Sequence, residues 1–89
     1  MSKHTPGPWT FYDDTASTGR IEIVALGKTV ARIYRSVPEE DLPNAHLIAA
    51  APDLLEALEI CAMVLNQAGY RTPADMAYAA IAKATGEQA

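Results

Sequence analysis

The chain has 89 residues and a formal net charge of −4, with 7 basic residues, 11 acidic residues and a hydrophobic fraction of 49%. This length allows one small domain with a thin core and excludes a two-domain enzyme. The acidic balance argues against general nucleic-acid binding, which depends on clustered Lys and Arg. Pro52 and Asp53 interrupt the longest apolar stretch, so no segment is expected to span a membrane.

Residues 1–37 predict a three-stranded antiparallel β-meander. The aromatic run at residues 9–12 is β-prone, and the turn-forming residues 13–19 separate it from the next strand. Alternating apolar side chains then occupy residues 20–26 and 29–35. Because an isolated meander needs cover on one side, the helices that follow are expected to pack against it.

The second predicted strand carries the clearest signal. Ile21, Ile23 and Ala25 alternate with polar or smaller neighbours, which predicts that one face of the sheet is buried. Gly27 and Lys28 are the predicted turn of the hairpin that follows. The triplet that begins at Gly27 resembles the end of a phosphate-binding P-loop, but the required upstream glycine is absent.

Residues 38–43 form an acidic, proline-flanked stretch that is predicted to connect the sheet to a helical part at 44–86. Asn44 is the predicted N-cap of a short helix. The main helix is predicted to begin near Pro52, since proline is tolerated in a first turn, and to end at Gly69.

Thr72 is the predicted cap of a last, alanine-rich helix that ends at Gly86. The small side chains of this helix allow close approach to the main helix or to a second subunit. The fold class is therefore α+β, a single domain over residues 1–89 with three antiparallel strands packed by two or three C-terminal helices. A chain this short is also expected to form a homo-oligomer through its helices.

The single cysteine, Cys61, lies in the apolar stripe of the main helix, so a buried structural thiol is predicted. With one cysteine and no export signal at the N-terminus, the cytoplasm is the expected compartment.

No combination of residues predicts catalysis, a metal or a cofactor. His4 and His46 are far apart and no HExxH or paired CxxC motif occurs. His46 near a predicted helix start is a surface or interface side chain, or alternatively a ligand contact. We therefore expect a protein that is not an enzyme.

One segment departs from the acidic character of the chain. Four basic residues against one acidic residue give residues 20–35 a local net charge of +3: Arg20, Lys28, Arg32 and Arg35 against Glu22. Arg32 and Tyr34 share a predicted strand face with Arg20. Such a face suits a phosphate and a base, and the alternative is a solvated outer sheet surface.

Two longer motifs carry a resemblance to a known family. Residues 4–9 read HTPGPW and residues 44–58 read NAHLIAAAPDLLEAL. Together they resemble a family of short bacteriophage and prophage proteins, most of which have no assigned function. Trp9 is expected to dock its indole on the sheet or on a helix.

The order of a β-meander and two C-terminal helices is also similar to phage sponge proteins that act against Thoeris immunity. Those proteins sequester cyclic ADP-ribose-type and cyclic oligonucleotide signals in oligomers. The resemblance implies a ligand-binding set in which Tyr34 contacts a base, Asn44 contacts a ribose, and Arg32, Arg35 or Arg71 contacts phosphate.

The resulting prediction is an anti-defence protein in the cytoplasm of the bacterial host, which binds a nucleotide-derived immune signal without catalysis. The alternative is an inhibitor that docks on a host or defence protein through its acidic surface. That surface comprises residues 39–41, Glu56 and Glu59. Neither function implies long nucleic acid or a membrane as a partner.

Overall fold

A computed structural model describes residues 4–34 and 37–86, and their contacts divide them into two compact units. The first, here called the sheet unit, is Thr5–Pro52. The second, the helical unit, contains residues 53–86. The prediction of a single domain over the whole chain stays a prediction.

The sheet unit begins with a three-stranded antiparallel sheet in the order β1-β2-β3. Its strands are β1 at Thr10–Asp14, β2 at Arg20–Ala25 and β3 at Lys28–Tyr34. Three helices follow along the chain, so the predicted α+β class and β-meander are confirmed.

The first strand is longer than predicted. Asp13 and Asp14 are turn residues by composition, but they pair with Ile21 and Arg20 of β2. The Asp13 carboxylate accepts a hydrogen bond from the backbone N–H of Thr15 at 3.0 Å. This local bond closes the turn immediately after the strand.

The core of the sheet unit lies on one face of β2, as the alternation predicts. Ile21, Ile23 and Ala25 are all buried, and Ile23 has no exposed surface. The first helix, α1, contacts β1 and β2 and contributes the fully buried Ala45. One helix therefore supplies cover that the sheet requires.

The helix α1 spans Pro38–Ala49, so the predicted connector and the predicted N-cap are both wrong. Pro38 occupies the first turn, where a missing N–H costs nothing. The acidic residues after it, at 39–41, lie in that same turn, where the positive end of the helix dipole stabilises them. Pro43 and Asn44 are therefore inside the helix.

The last turn of α1 and the first strand also meet through an aromatic contact. Phe11 of β1 and His46 of α1 make an edge-to-face contact, with ring centroids 4.9 Å apart. The His46 ring therefore packs against another side chain of the same protein. Asp41 of α1 is buried.

Within the sheet unit, the HTPGPW motif approaches the second motif at Gly7 and Pro52. The indole N–H of the half-buried Trp9 donates to the Thr5 carbonyl at 2.9 Å. A Cβ added at Gly7 would lie 3.1 Å from the Cβ of Pro52. Only glycine allows this close approach without displacing the proline, so the two motifs that carry the family resemblance are in contact.

The remaining helices are α2 at Ala51–Gln67 and α3 at Arg71–Thr85. Three predicted helix boundaries are confirmed. Pro52 lies in the first turn of α2, α2 ends before Gly69, and Gly86 follows α3 in a left-handed conformation. The predicted cap Thr72 is wrong, because α3 begins one residue earlier at Arg71.

The burial of Cys61 is also wrong, since the thiol is exposed. The buried side of α2 centres on Ala62, with Leu58 and Leu65 half-buried beside it. Cys61 directly precedes Ala62 in the chain but lies outside that buried side. Within residues 4–34 and 37–86, no helix combines the length and apolar character needed to cross a bilayer.

The turn between β2 and β3 generates a stability prediction. Ala25 pairs with Lys28, so the two turn residues are Leu26 and Gly27, both with positive φ (53° and 77°). Leu26 is 72% exposed and therefore adopts a left-handed conformation, disfavoured for leucine by about 1–2 kcal/mol, with little packing in return.

We expect Leu26→Asn to stabilise the protein by about 0.5–1 kcal/mol, because asparagine accepts this conformation in two-residue hairpin turns. Urea denaturation of the variant and the wild type measures the difference. Gly27→Ala is the matched control and should destabilise. A less stable Leu26→Asn variant would show that Leu26 has a packing role in the folded protein.

Candidate functional site

The outer face of the sheet is the surface of β2 that points away from the buried Ile21 and Ile23. Strand pairing places side chains of all three strands on it, since directly paired residues share a face. Tyr12 pairs with Glu22, Glu22 pairs with Arg32, and Arg20 pairs with both Asp14 and Tyr34. The predicted neighbours Arg20, Arg32 and Tyr34 are therefore together on the outer face.

Glu22 lies at the centre of the outer face and organises the charges around it. Its Oε1 accepts a hydrogen bond from the Thr29 hydroxyl at 3.0 Å. Its Oε2 lies 3.1 Å from Arg20 Nε and 3.7 Å from Arg32 Nε. Both arginines thus point their Nε atoms at one carboxylate oxygen, and the predicted basic face carries its own counter-ion.

The environment of Glu22 also affects its protonation. The Thr29 hydroxyl and then the Arg20 guanidinium hold the pKa of Glu22 below its usual value, because both stabilise the carboxylate. Glu22 is therefore charged at neutral pH. The cluster of Arg20, Glu22 and Arg32 then has a net charge of +1.

Two tyrosines flank this cluster from opposite edge strands. Tyr12 is 60% exposed and Tyr34 is 64% exposed. Tyr12 lies on β1 in the same row as Glu22, and Tyr34 lies on β3 in the row of Arg20. Their rings are accessible to a ligand or a partner protein.

The other predicted site residues are elsewhere. Asn44 is an exposed residue inside α1, so it does not cap a helix. Arg71 is the first residue of α3, in the helical unit. Arg35 lies outside the described residues.

Sequence reasoning missed two members of this site, Tyr12 and Glu22. Tyr12 was assigned to a strand, but only the register shows that it shares a face with Arg32. From the sequence, Glu22 was counted only in the net charge of residues 20–35. Its position between two arginines depends on which residues of β3 pair with β2, and composition does not determine that pairing.

A separate apolar groove lies on the helical unit. It has a volume of about 390 Å³ and is lined by Glu59, Ile60 and Met63 of α2 and by Tyr78 and Ile81 of α3. Ile60, Met63 and Tyr78 are exposed. Large exposed apolar patches in small proteins are commonly interaction surfaces.

A smaller cleft of about 190 Å³ in the sheet unit includes the carboxylates of Asp13 and Asp41. Both residues have interaction partners, so neither offers an uncommitted group for acid-base chemistry. The described part of the chain contains no cluster of three or more His, Cys, Asp or Glu side chains able to hold a metal ion. The outer face is the stronger candidate for a binding site.

Comparison with known proteins identifies a family of phage proteins. The model of a protein family described as Salmonella phage P22 protein Y8K6 matches residues 1–88. Searches of the curated proteins and of the solved structures find no significant match.

The Glu22 cluster generates a prediction about pH. Because the folded-state pKa of Glu22 is lowered, its stabilising effect is complete above the unfolded-state pKa of about 4.5 and is lost as the pH falls through the folded value. We expect Glu22→Gln to be less stable than the wild type at neutral pH, with the difference shrinking at about pH 3.

Urea denaturation at both pH values measures this difference. Glu59→Gln, which removes the same charge from an exposed site on α2, is the matched control and should show a smaller dependence. A stability difference for Glu22→Gln that is the same at both pH values would contradict the charged interaction with the arginines.

Proposed function

The chain belongs to the family of the Salmonella phage P22 protein Y8K6, and on this premise we propose that it is an anti-defence protein that acts by binding, without catalysis. The match confirms the prediction that the chain belongs to a phage protein family. In the proposal, the protein sequesters a nucleotide-derived immune signal, of the cyclic ADP-ribose or cyclic oligonucleotide type, in the cytoplasm of the bacterial host.

The arrangement of Arg20, Arg32 and Tyr34 on the outer face is the observation that supports this proposal. A guanidinium group has five N–H donors in a planar fork, and phosphate oxygens can engage two of them at once. Glu22 approaches both guanidinium groups through Nε. Among the described residues, no other ion pair occupies their terminal nitrogens.

Glu22 is therefore compatible with phosphate binding and can assist it. By holding the Nε side of each guanidinium, the carboxylate reduces the side-chain freedom that a ligand would otherwise have to restrict. The exposed ring of Tyr34 next to Arg20 provides a flat surface for a base.

The proposal also includes a homo-oligomer formed through the helices, since a chain this short has a thin core. The apolar groove between α2 and α3 supports it, because a second copy would remove Ile60 and Met63 from water.

Ligand binding is tested by calorimetry with a panel of cyclic oligonucleotides and cyclic ADP-ribose isomers. We expect at least one member to bind, and we expect the double variant Arg32→Ala, Tyr34→Ala to weaken it about a hundredfold. That loss combines one charged hydrogen-bonding group with one base stack.

The matched control is Tyr70→Ala, Lys83→Ala, which removes the same kinds of side chain from exposed positions in the helical unit. It should bind like the wild type. Absence of both heat and thermal shift across the whole panel would reject the proposed function.

The oligomer has its own test by size-exclusion chromatography with light scattering. We expect the wild type to have at least the mass of a dimer, and Met63→Glu to reduce it, because the substitution places a charge in the apolar groove. Met76→Glu is the control, since Met76 is exposed on α3 but does not line the groove. A monomeric wild type would contradict this part of the proposal.

The inhibitor alternative would use acidic side chains instead. Glu39 and Glu40 are exposed in the first turn of α1, and Glu56 and Glu59 are exposed on α2. A host protein that co-purifies with the chain and dissociates as salt is raised would favour this alternative, because screening weakens contacts between exposed charges.

A further inference from the structure

The outer face has two exposed tyrosine rings, Tyr12 and Tyr34. The base contact proposed above uses only Tyr34. Tyr12 and Tyr34 lie on opposite edge strands, separated by two strand spacings and by two residues along the strands. With strands about 4.8 Å apart and a rise of about 3.4 Å per residue, their Cα atoms are about 12 Å apart.

The arginines occupy the space between these rings. Arg20 Nε and Arg32 Nε both approach Glu22 Oε2, at 3.1 Å and 3.7 Å, so the two nitrogens lie within about 7 Å of each other. By register, Tyr12 lies next to Glu22, and Tyr34 lies next to Arg20 and on the same strand as Arg32. The two Nε atoms converge on Glu22, between the tyrosines. A ligand complementary to this arrangement has a base, a phosphate and a second base.

The charge of the cluster limits the phosphate. Arg20, Arg32 and Glu22 leave a single positive charge, and the Asp14 carboxylate, opposite Arg20 on the same face, brings the sum of the four groups to zero. A phosphodiester carries one negative charge, whereas a pyrophosphate carries two close together. The face therefore has no positive charge to balance the second negative charge of a pyrophosphate, and a phosphodiester fits it better.

We infer that the outer face recognises a nucleotide with two bases joined by a phosphodiester, with Tyr12 and Tyr34 stacking on one base each and Arg20 and Arg32 holding the phosphate between them. This inference rests on the proposed function and narrows its ligand class. It assigns a ligand contact to Tyr12 and makes Glu22 a specificity-determining residue.

Calorimetry with four probes tests the inference: the dinucleoside monophosphate ApA and cyclic di-AMP, which have two bases, and AMP and cyclic ADP-ribose, which have one. We expect ApA to bind about tenfold more tightly than AMP, because it gains one further stack. Tyr12→Ala should weaken ApA and cyclic di-AMP about tenfold, and Tyr12→Phe should preserve their affinity.

Tyr70→Ala is the control for loss of an exposed tyrosine outside the outer face, and it should leave every affinity unchanged. Thermal unfolding of Tyr12→Ala in the same buffer shows whether the sheet is intact. Glu22→Gln tests the charge argument: the affinity for cyclic ADP-ribose relative to ApA should increase several-fold, because the cluster then has two positive charges.

The outcomes separate this inference from the proposed function. If Arg32→Ala and Tyr34→Ala weaken binding but Tyr12→Ala does not, the nucleotide site stands and the two-base assignment is wrong. If cyclic ADP-ribose binds the wild type more tightly than ApA and cyclic di-AMP, the charge argument is wrong as well. If no probe or other nucleotide binds, the proposed function itself fails.

Discussion

The pairing of β2 with a neighbour on each side determines both the core and the candidate site of the sheet unit. Successive side chains of a strand point to opposite faces, so Ile21 and Ile23 are buried while Arg20 and Glu22 point outward. A register slip of one residue would exchange the two sets and place charges in the core. Stability of the thin core and the geometry of the outer face therefore depend on one register.

The same register explains how an acidic protein can present arginines on one surface. The net charge of the chain is −4, yet Arg20 and Arg32 converge on Glu22 at the centre of the outer face. The carboxylate removes part of the local positive charge and orients what remains. A surface of this kind has too little charge for a long nucleic-acid backbone, which releases many counter-ions on binding.

The accuracy of the predicted helix boundaries depended on the kind of residue that marked each boundary. Glycines that end a helix were reliable, because a left-handed residue after the last turn has few alternatives to glycine, and Gly86 has that conformation. Helix starts were less reliable. Asn44 has the chemistry of a cap, but Pro38 and the acidic residues after it are equally good first-turn residues, and they start α1 six residues earlier.

Burial in the helical unit shows a related limit of prediction from the sequence. Cys61 falls within the apolar stripe that a helical repeat predicts, yet its thiol is exposed, while the small Ala62, Ala74 and Ala77 are buried. A stripe shows which side of a helix is apolar. The residues actually covered depend on tertiary packing, and in α2 and α3 the buried residues are alanines.

The sequence by itself determined the α+β class, the strands, the buried side of β2 and the phage family, because periodicity, glycine position and long motifs are local properties of the chain. Only the tertiary structure decided which residues meet. It paired Tyr12 with Glu22 and Glu22 with Arg32, and it placed Arg71 and Asn44 in helices. Such partners come from strand register and packing between distant segments, and many registers are compatible with the same alternation of residues.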